Sequence, residues 1–228
     1  MSLPLLISVP HAGLDIPAEL KEINLLTPEQ IVEDGDEGAG EIFAIADEVT
    51  SLVTTEIARA FVDMNRPEND RASDGIVKTE TIYKVPIYRE PLAEEQIAFL
   101  LDHYYRPYHQ ELNRLSSDVI LGIDCHTMAA EAPPICTDAG VQRPPICLSN
   151  GDGTCSQEWL ESMVDCLRES LQCDVSINDP FKGGHIIRSH AAELPWMQLE
   201  LSRASFMPDE DKRHCVLSAF QQWCRSVT

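Results

Sequence analysis

"LLISVPHAG", residues 5–13, joins an apolar run to a histidine. Leu5, Leu6, Ile7 and Val9 read as a strand buried on both faces. Pro10 has no N–H to give a neighbouring strand and stops the pairing. His11 then stands at the strand's carboxyl end, with Ala12 and Gly13 small enough to leave room beside it. Open α/β sheets build their sites at such ends.

Further apolar runs at 52–55, 119–123, 145–148 and 196–201 predict four more core strands. Helical periodicity separates them, over 39–49, 94–115, 157–171 and 209–224. Strands alternating with helices predict an α/β fold on a parallel or mixed sheet. The 228 residues suffice for one domain, 1–228, with a real core. The stretch 67–92 is polar and rich in turn residues, which predicts a long excursion over the surface.

The formal charge of −21 excludes a broad nucleic-acid surface and attraction to an anionic membrane. An anionic small substrate would need a few arginines to reverse the potential locally. No apolar run approaches the roughly 18 residues of a membrane helix. No basic residue precedes the first apolar stretch and no small-residue cleavage site follows it, so no signal peptide is predicted. Eight cysteines, none in a CxxC pair, fit reduced thiols in the cytoplasm rather than a zinc finger.

"VILGIDCHTM", 119–128, repeats the opening arrangement: a strand, then Asp124, Cys125 and His126. Two strand-end histidines on neighbouring strands are candidates for a catalytic zinc, which takes three protein ligands and a water. Asp124 shares a strand face with His126 and is placed to fix its tautomer. For a third ligand, "EDGDEGAGEIF", 33–43, offers Asp34, Asp36 and Glu37. It is not a calcium loop, since Ala39 and Ile45 stand where Gly and Glu are required, and its acids equally suit a helix N-terminus. "FVDMNRPEND", 61–70, adds Asp63, Asn65 and Arg66, the last a planar fork for a carboxylate. "PFKGGHIIRSHA", 180–191, contributes Gly183 and Gly184, which permit close approach or positive φ, then His185 and Arg188. "WMQLELSR", 196–203, sets Glu200 inside an apolar strand, costly unless paired or functional. This inventory suits metal-assisted hydrolysis of an amide on an anionic substrate.

The segments SVPHAG, DEGAG, DMNRP, IDCHTM, PFKGG with Arg188, and QLELSR follow one another in the order found in N-formylglutamate amidohydrolases, and the chain resembles that family from His11 to Arg203. The resemblance implies a three-layer α/β/α sandwich with a mixed, mostly parallel sheet, related to zinc carboxypeptidases and aspartoacylases. It implies one Zn²⁺ per chain on His11, His126 and Asp36, other divalent metals being possible and Glu37 the alternative third ligand. Those relatives place their acidic ligand three residues after the first histidine, where this chain has Leu14. It further implies Glu200 as general base and Arg66 as catalytic. Asn65, Arg66, Arg188, Gly183 and Gly184 would bind substrate. The implied reaction is hydrolysis of a small anionic N-acyl amino acid, N-formyl-L-glutamate to formate and L-glutamate, as in histidine catabolism. Alternatives are a related hydrolase of another N-acyl amino acid or small peptide, an iron(II) oxygenase on two histidines and a carboxylate, and a non-catalytic metal-binding protein on the same fold.

Overall fold

The structure, a computed structural model, describes residues 2–134 and 136–227. In chain order its elements are β1 (Leu3–Val9), α1 (Pro28–Asp34), α2 (Ala39–Ile42), β2 (Val49–Thr54), α3 (Glu94–Leu100), α4 (Arg106–Leu115), β3 (Leu121–Met128), β4 (Ile146–Ser149), α5 (Gln157–Leu171), β5 (Val175–Ile177), α6 (His185–Ser189), β6 (Trp196–Ser202) and α7 (Asp209–Val227). Six strands form one sheet in the order β2-β1-β3-β6-β4-β5. All neighbours are parallel except β4 and β6.

The period of two along the central strands sorts the sheet into two faces. Leu5, Ile7, Leu121, Ile123, Met197, Leu199 and Leu201 fall on one face, in a core shared with α2, α5 and α7. The other face begins apolar, with Leu6 and Trp196 under α4 and α6, and turns polar toward the strands' carboxyl ends. Ser8, Asp124 and Gln198 lie in register across β1, β3 and β6, as do His126 and Glu200 one step further. Gly122 is required here: a Cβ would lie 2.4 Å from the Trp196 ring. The indole closes the dry half of this face and leaves the wet half to the site.

Several elements depart from the sequence reading. The helix expected over 39–49 stops at Ile42; Phe43 and Ile45 bury themselves from the turn and irregular chain that follow, and Val49 already starts β2. Apolar spacing alone does not separate a helix from a turn whose side chains pack inward. The run expected at 94–115 contains a π turn, Leu101–Tyr105. Pro107 lies just past it, and the wider turn accommodates a residue with no N–H. Strand β3 runs to Met128, so His126 lies inside it rather than beyond its end. Helix α1 carries a capping box the reading passed over: Thr27 Oγ1 accepts from Gln30 N, and Gln30 Oε1 from Thr27 N.

The stretch 67–92 is not a surface excursion. Ile76, Ile87 and Lys78 are fully buried, and Val77, Thr81 and Ile82 nearly so. Lys78 Nζ donates to both Asp34 oxygens at 2.8 and 2.7 Å, and Ile82 N donates to the same carboxylate at 2.7 Å. Removing one partner of such a pair leaves a bare charge in the core. We expect Lys78→Ala to lose about 3–5 kcal/mol of stability by denaturant unfolding. The double replacement Lys78→Met, Asp34→Leu should recover part of it, since the Ile82 N–H loses its acceptor; a single variant as stable as wild type would show the pair to be inert.

Candidate metal centre

The polar end of the sheet brings together three side chains far apart in sequence. His11 leaves β1 two residues after Val9, Asp36 stands between α1 and α2, and His126 lies on β3, the neighbour of β1. The Asp36 N–H donates to the His11 carbonyl at 3.2 Å, which fixes the loop against the strand. All three are buried, and their donor atoms lie within 4.8 Å of one another. Both imidazoles aim Nδ1 at the same oxygen: Asp36 Oδ2 is 3.4 Å from His11 and 2.9 Å from His126. Glu37, the alternative third ligand, is exposed beside it and touches Thr127 only through its backbone carbonyl.

The far nitrogens are held by carboxylates. His11 Nε2 lies 2.8 Å from Asp63 Oδ1, and His126 Nε2 lies 2.8 Å from Asp124 Oδ2. A carboxylate only accepts, so each Nε2 carries a proton, and in the neutral ring Nδ1 is left with its lone pair toward the centre. Metal-bound histidines are oriented by such outer carboxylates. These are themselves fixed: Asp63 by Arg59 Nε at 3.0 Å and Asn65 N at 2.9 Å, Asp124 by Ser8 Oγ at 2.7 Å. Burial alone would raise the Asp63 carboxyl, but His11 and Arg59 hold it well below its ordinary range. The same contest at Asp36, burial against the two histidines, also ends well below that range.

Two observations show that these residues fit a cation. His11 Nδ1 is a buried nitrogen with no hydrogen-bond partner. His126 has carboxylates on both nitrogens, and a neutral ring cannot donate to two acceptors. The edge between His126 and Asp36 therefore needs a positive charge, either a second proton or a metal ion. Burial works against a charged imidazole, yet Asp124 and Glu200 outweigh it and push His126 well above the usual range. Two imidazole nitrogens and one carboxylate oxygen form a donor set that suits zinc.

Around this trio lies a cavity of about 380 Å³, whose walls include Glu200, Arg66, Gly183 and Gly184. Glu200 stands opposite His126 in the β3–β6 register, and its Oε1 accepts from Gln198 Nε2 at 2.8 Å. Burial pushes its carboxyl up to about 6, against the pull of His126. The glycines serve the two purposes their sequence allows. Gly183 has φ +93°, and a Cβ on Gly184 would collide with the Asn65 amide. Asn65 is fully engaged: its Oδ1 accepts from Ile186 N at 2.8 Å and its Nδ2 donates to Asp124 at 3.1 Å. Arg66 lines the cavity and is braced by Asp74, donating from Nε to its carbonyl at 3.1 Å.

Arg188 is not on this wall. Its guanidinium donates to the carbonyls of Gly151, Lys182 and Gly183, and it lines an adjoining shallower cleft with His185. Two arginines that the sequence reading passed over, Arg59 and Arg143, line the main cavity instead. Neither lies in a recognisable motif; only packing brings them to the site. Among the described residues no helix is long and apolar enough to cross a membrane.

The family model for N-formylglutamate amidohydrolase matches residues 3–207. N-formylglutamate deformylase from Pseudomonas putida is 28% identical over 227 residues, covering 92% of this chain and 84% of the relative. The solved N-formylglutamate amidohydrolase from Ralstonia eutropha JMP134 has the same fold, with a TM-score of 0.80 at 21% identity over 99% of this chain and 93% of that one. A gene product of Agrobacterium tumefaciens of solved structure gives 0.75 at 16% identity over 99% and 90%. Six ordered motifs, the mixed six-stranded sheet and the match across residues 3–207 agree: the chain belongs to the N-formylglutamate amidohydrolase family, a family of hydrolases acting on amide bonds.

Proposed function

We propose that the chain is a zinc-dependent amidohydrolase that cleaves the N-acyl amide of an acidic amino acid, converting N-formyl-L-glutamate and water to formate and L-glutamate, or acting on a close analogue. The observation that carries this reading is the convergence of His11 Nδ1 and His126 Nδ1 on Asp36 Oδ2 beside the buried acid Glu200. His11, His126 and Asp36 would hold the ion. When bound, zinc acidifies a water and polarises a carbonyl.

The chain's own groups supply the rest. Glu200 accepts the proton of the attacking water at a carboxylate oxygen and returns it to the departing amine, as a general base that then serves as general acid. Gln198 aims that carboxylate, since its Oε1 is itself held by the Gly184 N–H at 2.5 Å. Asp63 and Asp124 keep both imidazoles turned inward. Arg66, steadied by Asp74, offers N–H groups to a substrate carboxylate or to the negative charge that grows on the attacked carbonyl. The ordering of charge within an acidic protein is local: arginines and Lys182 line the cavity of a chain carrying −21 overall.

The test is metal analysis of the purified protein followed by an assay of formate release. We expect about one zinc per chain and equal amounts of formate and glutamate from N-formyl-L-glutamate. Turnover should vanish on chelation and return with zinc. Metal bound without cleavage of any N-acyl amino acid would make the chain a binding protein; cleavage undiminished by chelation would remove the metal.

A further inference from the structure

Two of the arginines that line the cavity, and an arginine of the adjoining cleft, are committed to the fold. Arg59 is spent on Asp63, Arg66 leans on Asp74, and Arg188 caps backbone carbonyls in the adjoining cleft. Arg143 is different. Its side chain is only 6% exposed, yet its Nε is buried with no hydrogen-bond partner. Its Nη2 donates to Cys136 Sγ at 3.3 Å and lies 3.9 Å from Asp138 Oδ1, too far for a hydrogen bond to that carboxylate. The guanidinium rests over the Phe181 ring, 4.7 Å from its centroid.

This placement is built, not incidental. Arg143 closes the connection between β3 and β4, and its N–H donates to the Ala130 carbonyl at 2.8 Å. Ala132 N donates to the Val141 carbonyl at 2.9 Å, and the Gln142 amide to Glu131 at 3.0 Å, so the base of the connection is clasped on both strands. A buried cation short of acceptors is costly. A planar carboxylate entering the cavity would supply acceptors in the geometry a guanidinium prefers.

We propose that Arg143 is the residue that recognises the distal, side-chain carboxylate of the substrate and so sets the preference for an acidic amino acid. The inference rests on the amide-hydrolase reading above. The α-carboxylate is one carbon from the scissile nitrogen, so it falls near the reacting atoms. Arg66 suits it, being next in sequence to Asn65, whose amide lies 3.1 Å from His126 Nε2. The side-chain carboxylate reaches further, and Arg143 comes from a separate segment of the wall. A dicarboxylate would thus meet a different arginine with each end.

The experiment compares kcat/KM for N-formyl-L-glutamate and its neutral isostere N-formyl-L-glutamine. Wild type should prefer the acid by about 10²-fold, as expected for a charged hydrogen-bonded pair. Arg143→Gln should bring the ratio near unity. Arg143→Lys, which keeps charge without the fork, should fall between. Arg203→Gln is the control, because Arg203 also lines the cavity with a single long contact, 3.4 Å, to the Gly35 carbonyl. It should keep the ratio. Zinc content and circular dichroism establish that each variant is folded. A wild-type ratio near unity, an Arg143→Gln variant that slows both compounds equally, or a ratio that collapses in Arg203→Gln instead would overturn the assignment while leaving amide hydrolysis standing. Formate released from neither compound would bring down the hydrolase reading and this assignment with it.

Discussion

Replacing Glu200 with Gln should lower kcat by about 10²–10⁴-fold, the range a positioned general base contributes, and should leave zinc bound. The variant is close to isosteric, and Gln198 remains beside it as a hydrogen-bond partner. It also removes a charge that burial disfavours, so stability should hold or rise. A structural acid would behave in the opposite way, with loss of folding or metal and turnover falling only in proportion. Steady-state kinetics with metal analysis on the same preparation separates the two. Near-normal kcat in a fully metallated Glu200→Gln protein would remove the proton-transfer role.

The second large effect concerns Asp36. Asp36→Asn should weaken zinc binding by more than the roughly 10–100-fold cost of losing an outer hydrogen-bonding partner, measured by competition with a chromophoric chelator. Glu37→Gln, one residue on, should leave the affinity unchanged, because Glu37 is exposed while Asp36 Oδ2 lies 3.4 and 2.9 Å from the two Nδ1 atoms. The reverse result, affinity lost at Glu37 and kept at Asp36, would reassign the ligand. Leu14 explains why the choice arises. Three residues past His11, where the resemblance to zinc carboxypeptidases and aspartoacylases implies an acid, this chain has a half-exposed apolar side chain, and the acid we propose comes from the loop before α2.

How much of this the sequence carried depends on the range of the interaction. Five of the six strands were legible because runs such as LLISV, LGIDC and WMQLEL are short and largely apolar, whereas β5, Val175–Ile177, is too short to stand out. Helix α5 could be placed to the residue, since its apolar periodicity begins just after Ser156, which caps it. His11, His126 and Glu200 stood out because a polar residue in or beside an apolar strand asks for a reason. Lys78 gave no such sign. It sits in a polar stretch, and only the fold brings Asp34 from 44 residues away to meet it. Arg143 is a similar case, ordinary among turn residues until Phe181 and the cavity close around it. The 39–49 segment failed for a different reason: its apolar spacing is real and satisfied, but by a turn and irregular chain rather than by a continued helix.

The clasp between Lys78 and Asp34 reaches beyond stability. Asp34 ends α1, and two residues later the chain delivers Asp36 to the histidines. The backbone that sets the Asp36 carboxylate is therefore moored by an ion pair that takes no part in the cavity wall. A mutational screen scored only by turnover would rank positions 34 and 78 beside the ligands, and a reader of that ranking would mistake an anchor for a working part.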